Sequence, residues 1–267
     1  MNALETAINV ENLFSIRGKS ALVTGGSRGI GLMIARGYLE AGATVYISSR
    51  NAEVCDQVAD TLSEIGPCHS LPADVSTPEG RKLLVQELKK KESPLSILVN
   101  NAGTNWGVAI EEYPDSAFEK VMGLNVNAVF ALTRDLLPLL EQAGTPDDPA
   151  RVINIGSMDG IYVPTVQQTG TFAYSASKAA VHHLTRTLAV ELGPRCITVN
   201  AVAPGYFESK LAAHAIENYL DGIKANCPLD RIGKPAEMAG IAIYLASRAG
   251  AYTNGTVIPV DGGTCIA

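Results

Sequence analysis

The chain has 267 residues, 46% hydrophobic and 18% charged, with a formal net charge of -6. That length supports one large domain with a buried core, while the acidic balance removes the basic footprint that nucleic acid or an anionic membrane surface requires. No apolar stretch reaches the roughly 18 residues of a membrane span, and the five cysteines (Cys55, Cys68, Cys196, Cys227, Cys265) lack Cys-x-x-Cys spacing, which suits free thiols in a reducing compartment.

Residues 1–17 carry acidic side chains and no basic start followed by an apolar run, so they read as an extension rather than a secretory signal, and a cytoplasmic location is expected. A single domain is expected over 18–267. Its first strand, over 21–24, runs into the turn Gly25-Gly26-Ser27-Arg28-Gly29-Ile30-Gly31 and a helix over 29–41. Backbone N–H groups at that helix start can face a pyrophosphate with the helix dipole behind them, although the spacing departs from Gly-x-Gly-x-x-Gly and a tight connection has the same look.

The second strand, over 44–48, ends in Ser49-Arg50, where a fold that prefers NAD usually offers a carboxylate to the ribose. None stands there. Arg28 and Arg50, with Ser49 as a further donor, instead suit a 2′-phosphate, which predicts NADP(H). A helix over 53–65 and a weaker strand over 68–73 lead to Asp74-Val75, placed for an adenine amino group or simply for a turn.

After a helix over 78–91 and a strand over 97–100 comes Asn100-Asn101-Ala102-Gly103; a helix over 116–141 and a strand over 152–156 lead to Ser157. The helix over 174–192 opens with Tyr174 and Lys178, four apart and so on one face, where an ammonium favours ionisation of the phenol and makes it a usable proton donor. A strand over 198–203, Pro204-Gly205, a substrate loop over 206–228, a helix over 235–247 and a strand over 257–260 complete the chain. Strands alternating with helices predict an α/β fold: a single-domain, Rossmann-type, doubly wound parallel sheet of about seven strands with helices on both faces. His69, His182, His183 and His214 have no ligand-spaced partners, so no metal is expected. Gly156-Ser157-Met158-Asp159-Gly160 lacks the glycine spacing of a nucleophile elbow, and its aspartate makes no triad.

The ordered set of Thr24-Gly25-x-x-x-Gly29-x-Gly31, Asn100 to Gly103, Ser157, Tyr174-x-x-x-Lys178 and Pro204-Gly205 resembles the short-chain dehydrogenase/reductase superfamily from Gly18 to Gly263. The resemblance implies a catalytic set of Asn125, Ser157, Tyr174 and Lys178. Ser157 would hold the substrate oxygen against Tyr174, Lys178 would lower the Tyr174 pKa and hold the nicotinamide ribose, and Asn125 would anchor a relay water, with Asn127 competing for that role. It further implies that Asn100 to Gly103 line the adenosine ribose, that Pro204-Gly205 turn past the nicotinamide, that Ser209 replaces the family's usual threonine at the carboxamide, and that the chain forms a homotetramer, or second a homodimer.

Specificity is expected in 104–107, 158–172 and 206–228, with Trp106, Met158, Tyr162 and Phe207 lining the pocket and 164–170 forming a lip. The stretches 100–106 and 150–157 resemble NADPH-dependent β-ketoacyl reductases associated with rhamnolipid producers. This favours reduction of a 3-oxoacyl-type ketone to a secondary alcohol. Asp147-Asp148, after the long helix, argues for a free ketone or coenzyme A thioester over an acidic carrier protein. A polyol or sugar dehydrogenase is the alternative, and an NADP(H)-binding sensor without turnover is the reading from a different class.

Overall fold

The computed structural model describes residues 8–91, 93–163 and 170–267, so the expected lip over 164–170 lies almost wholly outside the described residues. Seven strands, β1 (Ser20–Thr24), β2 (Thr44–Ser48), β3 (Cys68–Ser70), β4 (Ile97–Asn100), β5 (Ala150–Ile155), β6 (Ile197–Pro204) and β7 (Val257–Val260), form one parallel sheet in the order β3-β2-β1-β4-β5-β6-β7. The central strands β1, β4, β5 and β6 are buried along their whole length, as strands with helices on both faces of the sheet must be. β7 takes Pro259 because an edge strand can forgo a ladder donor.

Alternate residues serve opposite faces. Ala21 and Val23 join a core with Ile34, Tyr38, Cys55, Leu62, Met238 and Leu245, whereas Leu22 joins Leu84, Leu98, Leu132, Leu136, Leu188 and Val199. The first core packs under α2 (Gly29–Glu40), α3 (Ala52–Ser63) and α9 (Pro235–Ala246), the second under α4 (Pro78–Lys89), α6 (Ala128–Ala143) and α7 (Phe172–Leu192). Before β1, a short helix α1 (Val10–Phe14) is capped by Asn9, and Ile16 enters the first core.

Two segments differ from the sequence expectation. The helix expected over 116–141 is α5 (Asp115–Met122), a π-turn over Gly123–Asn127 and then α6; apolar periodicity cannot register the extra residue of a π-turn. The loop expected over 206–228 contains α8 (Ala213–Ala225), which buries only Ile223 and is interrupted at Tyr219, so it has almost no apolar stripe to read.

Buried polar links tie the layers together. The Asn100 amide donates to Thr133 Oγ1 (3.1 Å) and Asn154 Oδ1 (2.9 Å), and Asn154 donates to Thr185 Oγ1 (2.9 Å). At the amino edge of the sheet, Arg151 is 1% exposed and donates to the carbonyls of Leu245 and Ser247, both at 3.0 Å, and to Asp148 at 2.9 Å. Lys19 meets the same carboxylate at 2.7 Å and reaches the Ala246 carbonyl. Two cations therefore cap the carbonyl end of α9, where the helix dipole favours positive charge.

Candidate active site

β1 and β4 are neighbours, so the strand order reverses direction there and opens a crevice at the carboxyl ends of the strands. Thr24 fastens this point: its hydroxyl donates to the Val99 carbonyl (3.2 Å) and accepts from the N–H groups of Asn101 and Ala102, both at 3.0 Å. Gly25 has φ +66°, and a Cβ there would stand 2.7 Å from the Asn101 amide nitrogen. At Gly31 a Cβ would collide with the Gly25 carbonyl oxygen, so both positions demand glycine. The start of α2 has no side-chain cap at Arg28, and among the described residues the N–H groups of Ser27 and Arg28 meet no acceptor. A positive helix end with free donors is an anion site by construction.

Arg28 and Arg50 are both exposed, and neither forms an ion pair among the described residues. They flank adjacent strand ends, since Thr24 pairs in register with Ser48 and the Gly25 N–H donates to the Ser48 carbonyl (2.7 Å). Ser49 points its hydroxyl at the Asn51 carbonyl (3.2 Å). One carboxylate oxygen of Asp74 is occupied by Ser76, through its N–H (3.0 Å) and hydroxyl (2.6 Å), while Val75 is buried and its carbonyl accepts from Arg81 (2.9 Å). Gly103 lies where a Cβ would be 3.3 Å from Asn125 Oδ1 and 3.8 Å from Lys178 Nζ. Ser209, whose Oγ accepts from the Ala212 N–H (3.2 Å), sits over Gly29, with its Cβ 3.0 Å from the place of a Cβ there. Gly205 follows β6, its N–H bonded to the Val260 carbonyl (3.0 Å), and Pro204 is buried.

The proton-handling group assembles beside this crevice. Ser157 lies beside Tyr174 and favours its ionised form, and Lys178 Nζ lies 5.4 Å from the Tyr174 ring centroid while donating to the Ile155 carbonyl (2.7 Å). Asn125, in the π-turn, is 2% exposed; its amide donates to Thr104 O and Ser177 Oγ, both at 2.9 Å, and its oxygen accepts the Thr104 N–H (2.9 Å). Asn127 is exposed, so the π-turn aims Asn125 and not Asn127 at the site. Burial pushes the Tyr174 phenol above its ordinary value, the Asp159 carboxylate pushes the same way, and Ser157 pulls down. Burial holds Lys178 down to about 8, with Asp159 opposing.

The net direction at Tyr174 is upward, where Lys178 was expected to lower it, because burial outweighs the neighbouring groups. Asn100 is likewise not at the ribose, because its amide is spent on Thr133 and Asn154. Phe207 is 2% exposed and packed on Gly233 in the first core, and it lines a pocket with Tyr206, Ile223, Cys227 and Asp261. Trp106 is 43% exposed on its loop, its N–H bonded to Asn105 (2.7 Å). Met158 is buried, and Tyr162 is half-buried among Asp159, Tyr206 and Cys265, its phenol pushed up to about 12 by burial.

Three groups were missed. Ser177 bridges Asn125 and the Tyr174 carbonyl (2.7 Å), and Asp159 and Tyr206 lie near enough to Tyr174 for their charges to push its phenol up. Proximity to Ser157 and Gly205 was the signal available for the last two. Among the described residues, no cluster of three or more His, Cys, Asp or Glu is arranged to hold a metal, and no helix is long and apolar enough to cross a membrane.

The family model described as enoyl-(acyl carrier protein) reductase matches residues 25–265. The chain is a short-chain dehydrogenase/reductase. This family member is 52% identical over 252 residues to the rhamnolipids biosynthesis 3-oxoacyl-[acyl-carrier-protein] reductase of Pseudomonas aeruginosa, a match covering 94% of the chain and 97% of that protein. It is 33% identical to gluconate 5-dehydrogenase of Gluconobacter oxydans, covering 96% and 98%. Among solved structures, the Pseudomonas aeruginosa RhlG/NADP active-site complex superposes with a TM-score of 0.91 at 50% identity, covering 96% of this dehydrogenase/reductase and 99% of that chain. A gluconate 5-dehydrogenase from Burkholderia cenocepacia in complex with NADP and tartrate gives 0.88 at 30% identity, covering 97% and 100%.

Asp159 also affects stability. Burial raises its carboxyl from an ordinary 3.8 to about 6, so the folded state holds this proton more tightly than the unfolded chain. The associated stability is complete below the ordinary value and is lost as pH rises through about 6. Asp159→Asn is therefore expected to melt higher than the wild type near neutral pH, with the gap closing as pH falls toward about 4, in paired thermal scans.

Proposed function

We propose that this short-chain dehydrogenase/reductase uses NADP(H) to reduce a 3-oxoacyl-type ketone to a secondary alcohol. The observation that carries it is Ser157 beside Tyr174 with Lys178 one helical turn along, its Nζ 5.4 Å from the Tyr174 ring centroid, next to an uncapped glycine-rich helix start. The glycine cradle fits a dinucleotide, since a Cβ at Gly25 or Gly31 would fill the space a backbone needs to approach phosphate. Gly25, Ser27, Arg28, Gly29, Ile30 and Gly31 would hold the pyrophosphate. Arg28, Ser49 and Arg50 would hold a 2′-phosphate, Asp74 and Val75 the adenine, Asn101, Ala102 and Gly103 the adenosine ribose, and Pro204, Gly205 and Ser209 the nicotinamide side. When bound, the reduced dinucleotide supplies a hydride.

The chain's own residues manage the proton. Ser157 orients the carbonyl oxygen toward Tyr174, and the Tyr174 phenol gives that oxygen its proton as it becomes an alkoxide. A phenol raised by burial stays protonated at neutral pH and is still far more acidic than an alkoxide, so its high value suits the reductive direction. Lys178 supplies positive charge at the ribose, and Asn125 keeps the backbone at Thr104 and the hydroxyl of Ser177 in place around it.

The acyl preference is supported by the name of the 52% identical relative. Asp147-Asp148 no longer weighs against a carrier protein, because both lie before β5 at the edge opposite the site and Asp148 is tied to Lys19 and Arg151. The sugar or polyol alternative is supported by the gluconate dehydrogenases among the relatives. A homotetramer, with homodimer second, is supported by exposed apolar side chains at Phe118, Phe130 and Val190 on α5, α6 and α7 and at Tyr252.

Arg28→Ala and Arg50→Ala are each expected to raise the KM for NADPH by roughly tenfold while leaving that for NADH nearly unchanged, as loss of a charged hydrogen bond dictates. Initial rates with both cofactors test this. Equal effects on both would remove the 2′-phosphate reading.

A further inference from the structure

Tyr174, Lys178 and His182 stand four residues apart on one face of α7, and only the first two handle the proton. His182 is 4% exposed, and burial holds its imidazole neutral, with a pKa of about 4. Among the described residues its Nε2 is enclosed and has no hydrogen-bond partner. An enclosed nitrogen without a partner costs stability that a hydrocarbon side chain would not cost, so filling the core does not account for it.

What the ring touches is the loop that carries Ser157. A Cβ at Gly156 would stand 2.1 Å from Nε2 and 2.7 Å from Cδ2 of His182, and a Cβ at Gly160 would stand 2.8 Å from Cε1. Atoms do not approach that closely, so the imidazole occupies the space that both missing side chains leave. Neither glycine is demanded by its own backbone, since neither has a positive φ. Gly156 directly precedes Ser157. Gly160 ends the 3-10 turn Met158–Gly160 that Ser157 caps, its hydroxyl accepting the Asp159 N–H (3.2 Å). Hydrogen bonds tie the start of this loop to its neighbours: Lys178 Nζ donates to the Ile155 carbonyl and the Gly156 N–H to the Val202 carbonyl, both at 2.7 Å. How far the loop stands from α7 beyond that point is set by the ring.

We propose that His182 is a positioning residue for Ser157: its imidazole is the spacer between α7 and the serine loop, and it fixes the separation of the Ser157 hydroxyl from the Tyr174 phenol that one substrate oxygen must bridge. The catalytic consequence rests on the reading of Ser157 as the group that holds that oxygen; the placement of the loop stands independently. Two groups aimed at one atom tolerate little error, and a misplacement of about 1 Å costs on the order of 10²-fold in rate.

The test is a double-mutant cycle of Gly156→Ala and His182→Ala in the full chain, read by crystal structures, by kcat for NADPH-dependent carbonyl reduction and by Kd for NADPH. Gly156→Ala sets a methyl group against the ring. It should displace Ser157 and lower kcat by about 10²-fold, with Kd within a few-fold of wild type because the glycine cradle of β1, β4 and α2 is untouched. His182→Ala removes the spacer and should lower kcat by roughly tenfold with the same Kd. In the double variant the methyl group takes space the ring has left, so Ser157 and kcat should return at least to their state in His182→Ala. Should Gly156→Ala fold only together with His182→Ala, the contact is read in stability, and His182→Ala alone reads the kinetics. Ser157 unmoved in folded Gly156→Ala and His182→Ala overturns the proposal, as do losses in kcat that multiply in the double variant. A restored Ser157 without restored kcat also overturns it. Ser157 moving and returning as expected, while no form of the protein reduces a carbonyl, would instead sink the proposed function and leave the spacer standing.

Discussion

Tyr174→Phe is expected to lower kcat for NADPH-dependent carbonyl reduction by about 10²–10⁴-fold, the range that a general acid supplies, with NADPH affinity within a few-fold of wild type. The substitution removes one oxygen. The ring remains beside Lys178, whose ammonium is held by the Ile155 carbonyl and not by the phenol, so the lysine keeps its position. Ser157 still accepts from the Asp159 N–H. The cradle around Gly25 and Gly31 is built by β1, β4 and α2, and α7 takes no part in it. Stopped-flow reduction and fluorescence titration of NADPH separate the two quantities. A variant that bound poorly would make Tyr174 a binding residue, and one that turned over normally would require a different proton donor.

Arg151→Ala is expected to destabilise the protein by about 3–5 kcal/mol, as removal of a buried, hydrogen-bonded ion does, and to lower Tm by on the order of 10 °C. The guanidinium is enclosed, and burial already lowers its pKa against the pull of Asp148. Its loss uncovers the carbonyls of Leu245 and Ser247 at the end of α9 and leaves a cavity at the base of β5. Lys19 retains Asp148, so the carboxylate is not stranded. The catalytic edge lies at the other end of the strands, and KM for NADPH should therefore be unchanged below the melting range. Thermal unfolding by circular dichroism reads the effect. A shift of only one or two degrees would mean that water replaces the guanidinium and that the cap contributes little.

The parts of the chain legible beforehand are those whose signal is local. Fully buried parallel strands such as β4 and β6 are built mostly from apolar residues, and a parallel sheet sends every strand's carboxyl end to one edge, so Ser157, Gly103 and Gly205 fall together by topology alone. Tyr174 and Lys178 share a helix face for the same kind of reason. What was illegible depends on chain segments returning from far away. Asn100 looks like a ribose ligand until β5 brings Asn154 beside it. Arg151 reads as an ordinary strand-end charge, and its role exists only because α9 ends above it. The π-turn that aims Asn125 inward adds a residue that the helical period cannot register.

The most direct measurement is the initial rate of NADPH and of NADH oxidation by the purified protein across 3-oxoacyl thioesters on coenzyme A and on carrier protein, β-keto esters, diketones and keto-sugars. Oxidation of NADPH in clear preference to NADH, fastest with a 3-oxoacyl thioester, is the expected result. Preference for NADH would contradict the roles given to Arg28 and Arg50, and turnover confined to keto-sugars would replace the acyl substrate with a polyol. Tight NADPH binding with no turnover on any carbonyl would contradict the assignment of Tyr174 as proton donor in a working reductase.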